Sequence, residues 1–239
     1  MADDEGLVLS VRGEAHAMVA PDVVVLGGGV AVWQDSKQDA LAGAAAALDR
    51  FTRDLSELGG VPLTVASERS PLTWSASSAT TYVERDHNKE TGRAEPTGRV
   101  VASVEVAVSV RHFALLDGLG RVFARHEHYN VRDITWLVDD DNPNWSRVRN
   151  EAIQASLRKG KDYAAALGAQ LLRVDHVADT GLLGGSGDQP HIVRRAAAFA
   201  SARGHGGEDV DTPSLDPVPQ QLSAVIEARF RATAADVSD

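Results

Sequence analysis

LVLSVRGEAHAMVAPDVVVLGGGVAVW, residues 7–33, decides how this chain is read. Two β-rich runs flank the dipeptide Pro21-Asp22. Leu7–Val19 alternates imperfectly and predicts a strand. Pro21 fixes φ and removes a backbone donor, which ends ladder pairing. Asp22 is suited to bond the amides that follow it, as Asx turns do. Val23–Trp33 predicts a second, largely buried strand, and its Gly27-Gly28-Gly29 triplet predicts a bulge or a close backbone approach.

Downstream, Ser36 opens a capping-box-like Ser-Lys-Gln-Asp, with Asp39 in the reciprocal place. Leu41, Ala44, Leu48, Phe51, Leu55 and Leu58 then recur at steps of three and four. That stripe predicts a helix over Ser36–Leu58, stopped by Gly59-Gly60. Val61–Ser67 and Leu72–Glu84 read as strands, and polar Arg85–Gly98 as a loop. Arg99–Arg111 has Val104, Val106, Val108 and Val110 on one face, the pattern of a half-buried strand. His112–His126 predicts a short helix with Phe113, Leu116, Leu119 and Phe123 on one side. Asn130–Val138 reads as a strand. Asn142 then caps a long helix whose first position is Pro143. Its stripe is Ile153, Leu157, Gly160, Ala164 and Leu167, ending at Gly168. Gln170–Asp179 and Gln220–Ala232 read as strands, separated by a long Gly- and Pro-containing excursion at 181–219.

These elements predict an α+β fold with mixed or antiparallel sheets, two long helices and one short one. Strand 23–33, helix 36–58 and strand 61–67 are echoed by strand 99–111, helix 112–126 and strand 130–138, giving two strand–helix–strand units. The chain is either one domain over 1–239 or two lobes, about 1–98 and 99–239.

Bulk composition narrows the function classes. The 239 residues carry 24 basic and 34 acidic side chains, a net charge of −10. That argues against nucleic-acid binding, which needs clustered Lys and Arg, and against anionic lipid surfaces. The absence of cysteine rules out disulfides, thiolate catalysis and Cys-based metal sites. No stretch approaches the roughly 20 apolar residues that span a bilayer. Met1-Ala2-Asp3-Asp4-Glu5 is acidic where a secretory leader begins basic, so the expected location is cytoplasmic and the expected protein soluble.

The order of these motifs resembles the SIMPL-domain family, a family of unknown function that includes exported, periplasmic and outer-membrane immunogenic-type proteins. The residues that carry the resemblance are Gly13-Glu14-Ala15, Pro21-Asp22, Gly29-Val30, the Asp39–Leu58 helix, Gly60-Val61, Val100–Val110, Ala165-Ala166-Leu167-Gly168 and Pro217-Val218-Pro219. Ala15 stands where a second Gly is common, and the export signal usual in the family is not seen here. The resemblance implies an α+β fold and, in some members, homo-oligomeric assemblies. It implies no agreed catalytic residue.

Each chemistry-bearing motif has a plainer structural reading. Val23–Gly29 brushes against a dinucleotide fingerprint, but Val30-Ala31-Val32-Trp33 continues as strand where a helix must start. His126-Glu127-His128 lacks the spacing that puts two imidazoles on one helix face, and histidines near a helix C-terminus complement its dipole. Asp139-Asp140-Asp141 lacks the Gly and distal Glu of a calcium loop. Gly184-Gly185-Ser186-Gly187-Asp188 departs from a nucleophile elbow at its last position. Trp74, Tyr82, Trp136 and Trp145 read as core or interface aromatics. No catalytic, cofactor-binding or metal-ligating residue is assigned. The expected function is a non-catalytic, self-assembling or partner-binding protein, with a homo-oligomer as the expected state. The alternative is a hydrolase or small-ligand enzyme whose site gathers Asp22, His112 or the Asp139–Asp141 run in one cleft.

Overall fold

The computed structural model describes residues 6–89, 92–182 and 215–234. The nucleophile-elbow-like run at 184–188 and most of the excursion lie outside them. The architecture is α+β, in two compact units. The chain leaves the first unit at Ala20–Pro21 and re-enters it at Leu137–Val138, so Pro21-Asp22 marks a boundary between units. The Asp22 amide donates to the Leu137 carbonyl at 2.8 Å, a bond within the second unit.

The first unit is an antiparallel three-stranded sheet, ordered β1 (Leu7–Val19), β9 (Gln220–Ala232), β8 (Leu171–Asp179), with the helix α3 (Asn144–Ala166) on one face. The helix starts one residue later than expected, with Pro143 at its N-cap position in helical conformation, and the Asn142 side-chain oxygen accepts from the Asn144 amide at 3.0 Å. The buried stripe of α3 differs from the expected one. It is Val148, Ala152, Ser156, Gly160 and Ala164, whereas Ile153 and Leu167 are exposed. Small residues won because the helix lies close to the sheet. A Cβ on Gly13 of β1 would collide with the Ala152 carbonyl and lie 2.8 Å from the Ser156 amide. At Gly160 the ring of Phe230 fills the space, 3.0 Å from where a Cβ would sit. The missing side chain there therefore serves packing within the unit.

The second unit holds a six-stranded mixed sheet. Its main order is β3 (Val61–Pro62), β4 (Leu72–Ala76), β6 (Arg93–Val110), β2 (Val23–Gln34), β7 (Tyr129–Leu137), and β5 (Thr80–Asn88) also pairs with β6. Helix α1 (Lys37–Glu57) packs on β2 and β6, and α2 (Leu116–Arg125) packs beside α1. Ser36 caps α1 through the Asp39 amide at 3.1 Å. The ladder sets Val24, Leu26, Val30 and Val32 against Val110, Val108, Val104 and Ala102, all buried. Ala40, Ala44, Ala47, Phe51 and Leu55 face this layer, with Leu41, Leu48 and Leu58 only partly buried at its margin.

Three expected segments differ. Val61–Ser67 is a two-residue strand followed by a 3-10 turn at Leu63–Val65, since Pro62 offers no amide to extend a ladder. The run Leu72–Glu84 breaks after Ala76, where the Ser77 side chain accepts from the Glu105 amide at 3.0 Å and replaces a ladder bond. Polar Arg85–Gly98 is not a loop. It belongs to a two-stranded ribbon in which Arg85–Asn88 pairs with Arg93–Pro96. Both its faces meet solvent, so it has no apolar alternation to announce it, and Pro96 is tolerated because among the described residues β6 has a partner on one side only there. Residue 98, the division considered between two lobes, falls inside β6.

The tight seat of α3 predicts that Gly13→Ala lowers the unfolding free energy by about 1–3 kcal/mol, the usual cost of overpacking. Denaturant titration checks it. An unchanged midpoint would contradict the packing.

Candidate functional site

The glycine triplet of β2 does its work in packing. A β-bulge interrupts the β2–β7 register between Gly27 and Gly28. The Arg132 guanidinium donates to the Gly28 carbonyl and to Glu105, both at 2.9 Å. Over Gly28 lies the phenol of Tyr129, whose hydroxyl would be 2.8 Å from a Cβ there. Tyr129 stacks on Phe51 at 4.1 Å and on Phe123 at 5.0 Å between ring centres. Its hydroxyl is buried and, among the described residues, has no hydrogen-bond partner. Burial pushes its pKa up to about 12, with smaller opposing effects of Arg132 and Asp133.

Beside this stack lies a cleft of about 210 Å³ between α1 and the turn from α2 into β7. Arg50, Phe51, Arg125, His126 and His128 help line it. His126 Nε2 lies 3.0 Å from Asp54 Oδ2, donating to the carboxylate, and the ring meets Phe51 edge-on at 5.3 Å. Arg125 reaches the same carboxylate at 3.8 Å. His128 turns instead to Glu127, at 3.5 Å. The two imidazoles thus serve different carboxylates. His126 ties the end of α2 to α1, and among the described residues no group of three or more His, Asp or Glu is placed to hold a metal ion.

A second, open groove of about 570 Å³ runs between β1 and α3, lined by Glu14, His16, Glu151, Gln154 and Arg158. His16 is exposed and pairs with Ser223 in the β1–β9 ladder. Neither cleft is lined by Asp22, His112 or Asp139–Asp141. Asp22 is half-buried at the start of β2. His112 is exposed, and its carbonyl accepts from Leu115 at 2.9 Å. The Asp139 carbonyl accepts from Trp145 Nε1 at 2.9 Å, and Asp140 and Asp141 are exposed. The aromatics are dispersed. Trp136 is buried against Phe113, Trp74 flanks the core, Arg149 covers the Trp145 ring, and Tyr82 is exposed on β5.

The feature that sequence reading missed is the bare side of β8. Val174 and Val177 pair with Phe230 and Ala228, which are buried beneath α3. Directly paired residues share a face. Yet Val174 is 48% and Val177 46% exposed, because α3 lies over β1 and β9 and scarcely reaches β8. Leu172 is 58% exposed. Among the described residues no strand pairs with the outer edge of β8. Asp175 sits midway along it, 3.0 Å from both Arg173 and Arg231. The Arg173 hydrogen bond, with Arg231 adding to it, holds its carboxyl below the usual carboxylate range. No local signal in Leu171–Asp179 marks this exposure, which is set by where α3 rests.

The raised Tyr129 pKa sets a pH window. The fold favours the neutral phenol, so this stabilisation is whole below about pH 10 and is lost as pH rises to about 12. The loss is about 2–3 kcal/mol. Tyr129→Phe should abolish that slope and, by removing an unpartnered hydroxyl, match or exceed the wild-type stability at pH 7. Denaturant titrations at pH 9 and pH 11.5 check it. An equal slope in both proteins would contradict it.

The SIMPL family model, described as a protein of unknown function (DUF541), matches residues 9–230. Comparison with curated proteins finds no match. The matched span runs from β1 to β9 and takes in Pro21-Asp22, the glycine triplet and the Ala-Leu-Gly end of α3. On that coverage the chain belongs to the SIMPL family.

Proposed function

We propose that this protein is a non-catalytic module that works by association, with copies of itself or with a protein partner. The observation that carries the reading is strand β8, whose outer edge has no partner strand among the described residues and which exposes the side chains of Leu172, Val174 and Val177. An edge of unpaired amides and carbonyls is a template for another chain, and apolar groups left bare beside a core gain by being covered. A hydrolase or small-ligand enzyme would be supported by a cleft that gathers Asp22, His112 or the Asp139–Asp141 run. The cleft beside His126 and the groove beside His16 gather none of them.

The net charge of −10 opposes association at low salt. Screening beyond about 8 Å at physiological ionic strength removes most of that opposition. An apolar contact should therefore persist or tighten as salt rises. Native mass spectrometry and light scattering at micromolar concentration should find masses above the 25.4 kDa chain, with no loss of assembly between low and moderate salt. A single 25.4 kDa species at both salts would overturn self-assembly.

A further inference from the structure

Strand β8 carries its own pairing instruction. Its two register irregularities toward β9 fall between Leu171 and Arg173 and between Val174 and His176. Bulges and charges are devices that keep an edge from indiscriminate pairing. Of the axes at Arg173, Val174 and Asp175, one opposes no like charges. If two copies of β8 run antiparallel about a two-fold axis at Val174, Val174 faces Val174 of the second copy. Arg173 then faces Asp175 of the second copy, twice by symmetry, and Leu171 faces Val177. Moving the axis one residue on sets Asp175 against Asp175, and moving it one residue back sets Arg173 against Arg173. Like charges directly opposite destabilise a pair, and opposite charges support it.

We infer that β8 is the docking surface for a second copy of this chain, paired antiparallel about Val174. The inference rests on the self-assembly reading above and names the surface and the register for it. The joined sheet has the order β1-β9-β8-β8-β9-β1. A two-fold axis perpendicular to the sheet keeps both α3 helices on one face, as isologous contacts require. The bare strips of Val174 and Val177 from the two copies then adjoin on that face, between the helices. Arg173 and Asp175, already 3.0 Å apart within one chain, are positioned to exchange partners across the axis.

The chain has no cysteine, so one introduced thiol reads out the register without interference. Paired residues have Cβ atoms roughly 4.5–5.5 Å apart, near the reach of a disulfide. Val174→Cys should cross-link to a dimer under mild oxidation at least tenfold faster than Leu182→Cys, which is 70% exposed beyond the strand. In the same purified full-length chain, Arg173→Asp and Asp175→Arg should each lose the dimer, since each opposes like charges. Mixed one to one, the two variants should recover it as a heterodimer, resolved by mass in native spectrometry. Circular dichroism melts establish that each variant is folded, and the Val174→Cys result stands independently if one is not. Equal cross-linking at 174 and 182 would overturn the register. So would single variants that dimerise as the wild type does. If the wild type is a 25.4 kDa monomer throughout, the self-assembly reading falls as well. If it assembles while the register tests fail, only the β8 pairing falls.

Discussion

The contact on which the first unit turns is the seat of α3 on Gly13. Ala152 and Ser156 come so close to the β1 backbone that only a hydrogen fits between, and farther along Gly160 admits the Phe230 ring of β9. These approaches fix the helix over two strands. A side chain at Gly13 would lift it, and a larger residue at 160 would displace Phe230. With α3 held there, the helix scarcely reaches the third strand, and among the described residues nothing else covers it. The exposed face of β8 follows from a well-packed neighbour.

The second unit obeys the same economy of space by other means. Its β2–β6 ladder presents a continuous Val-rich layer to the Ala-rich face of α1. At the one position where that layer lacks a side chain, Gly28, the Tyr129 phenol takes the place. The cost is a buried hydroxyl without a partner among the described residues, offset by an aromatic stack with Phe51 and Phe123. His126 belongs to the same structure. Its ring packs on Phe51 and its nitrogen meets Asp54, so the first histidine of the His126-Glu127-His128 run is a tie between two helices.

Much of this was legible in the residues. The strands flanking Pro21-Asp22, the helix begun at Ser36, the Val-alternating half of β6 and the close approach at the glycine triplet each have a local cause that periodicity or turn chemistry exposes. The β5–β6 ribbon did not, because a strand exposed on both faces has no period-2 signal. The stripe of α3 was misread toward Ile153 and Leu167 because hydrophobicity ranks large side chains first. The true face was chosen by size, through Ala152, Ser156 and Gly160. The open side of β8 was beyond local reading altogether. It depends on where a helix from elsewhere in the chain comes to rest, which no feature of Leu171–Asp179 encodes.

The central claim, that β8 is covered only when chains associate, is most directly tested by amide hydrogen exchange across a concentration series. In the intact protein, the amides of 171–179 should gain protection as concentration rises, while those of the two-sided ribbon at 80–88 exchange at a constant rate. Exchange at 171–179 that is independent of concentration, in a sample whose mass shows assembly, would contradict it.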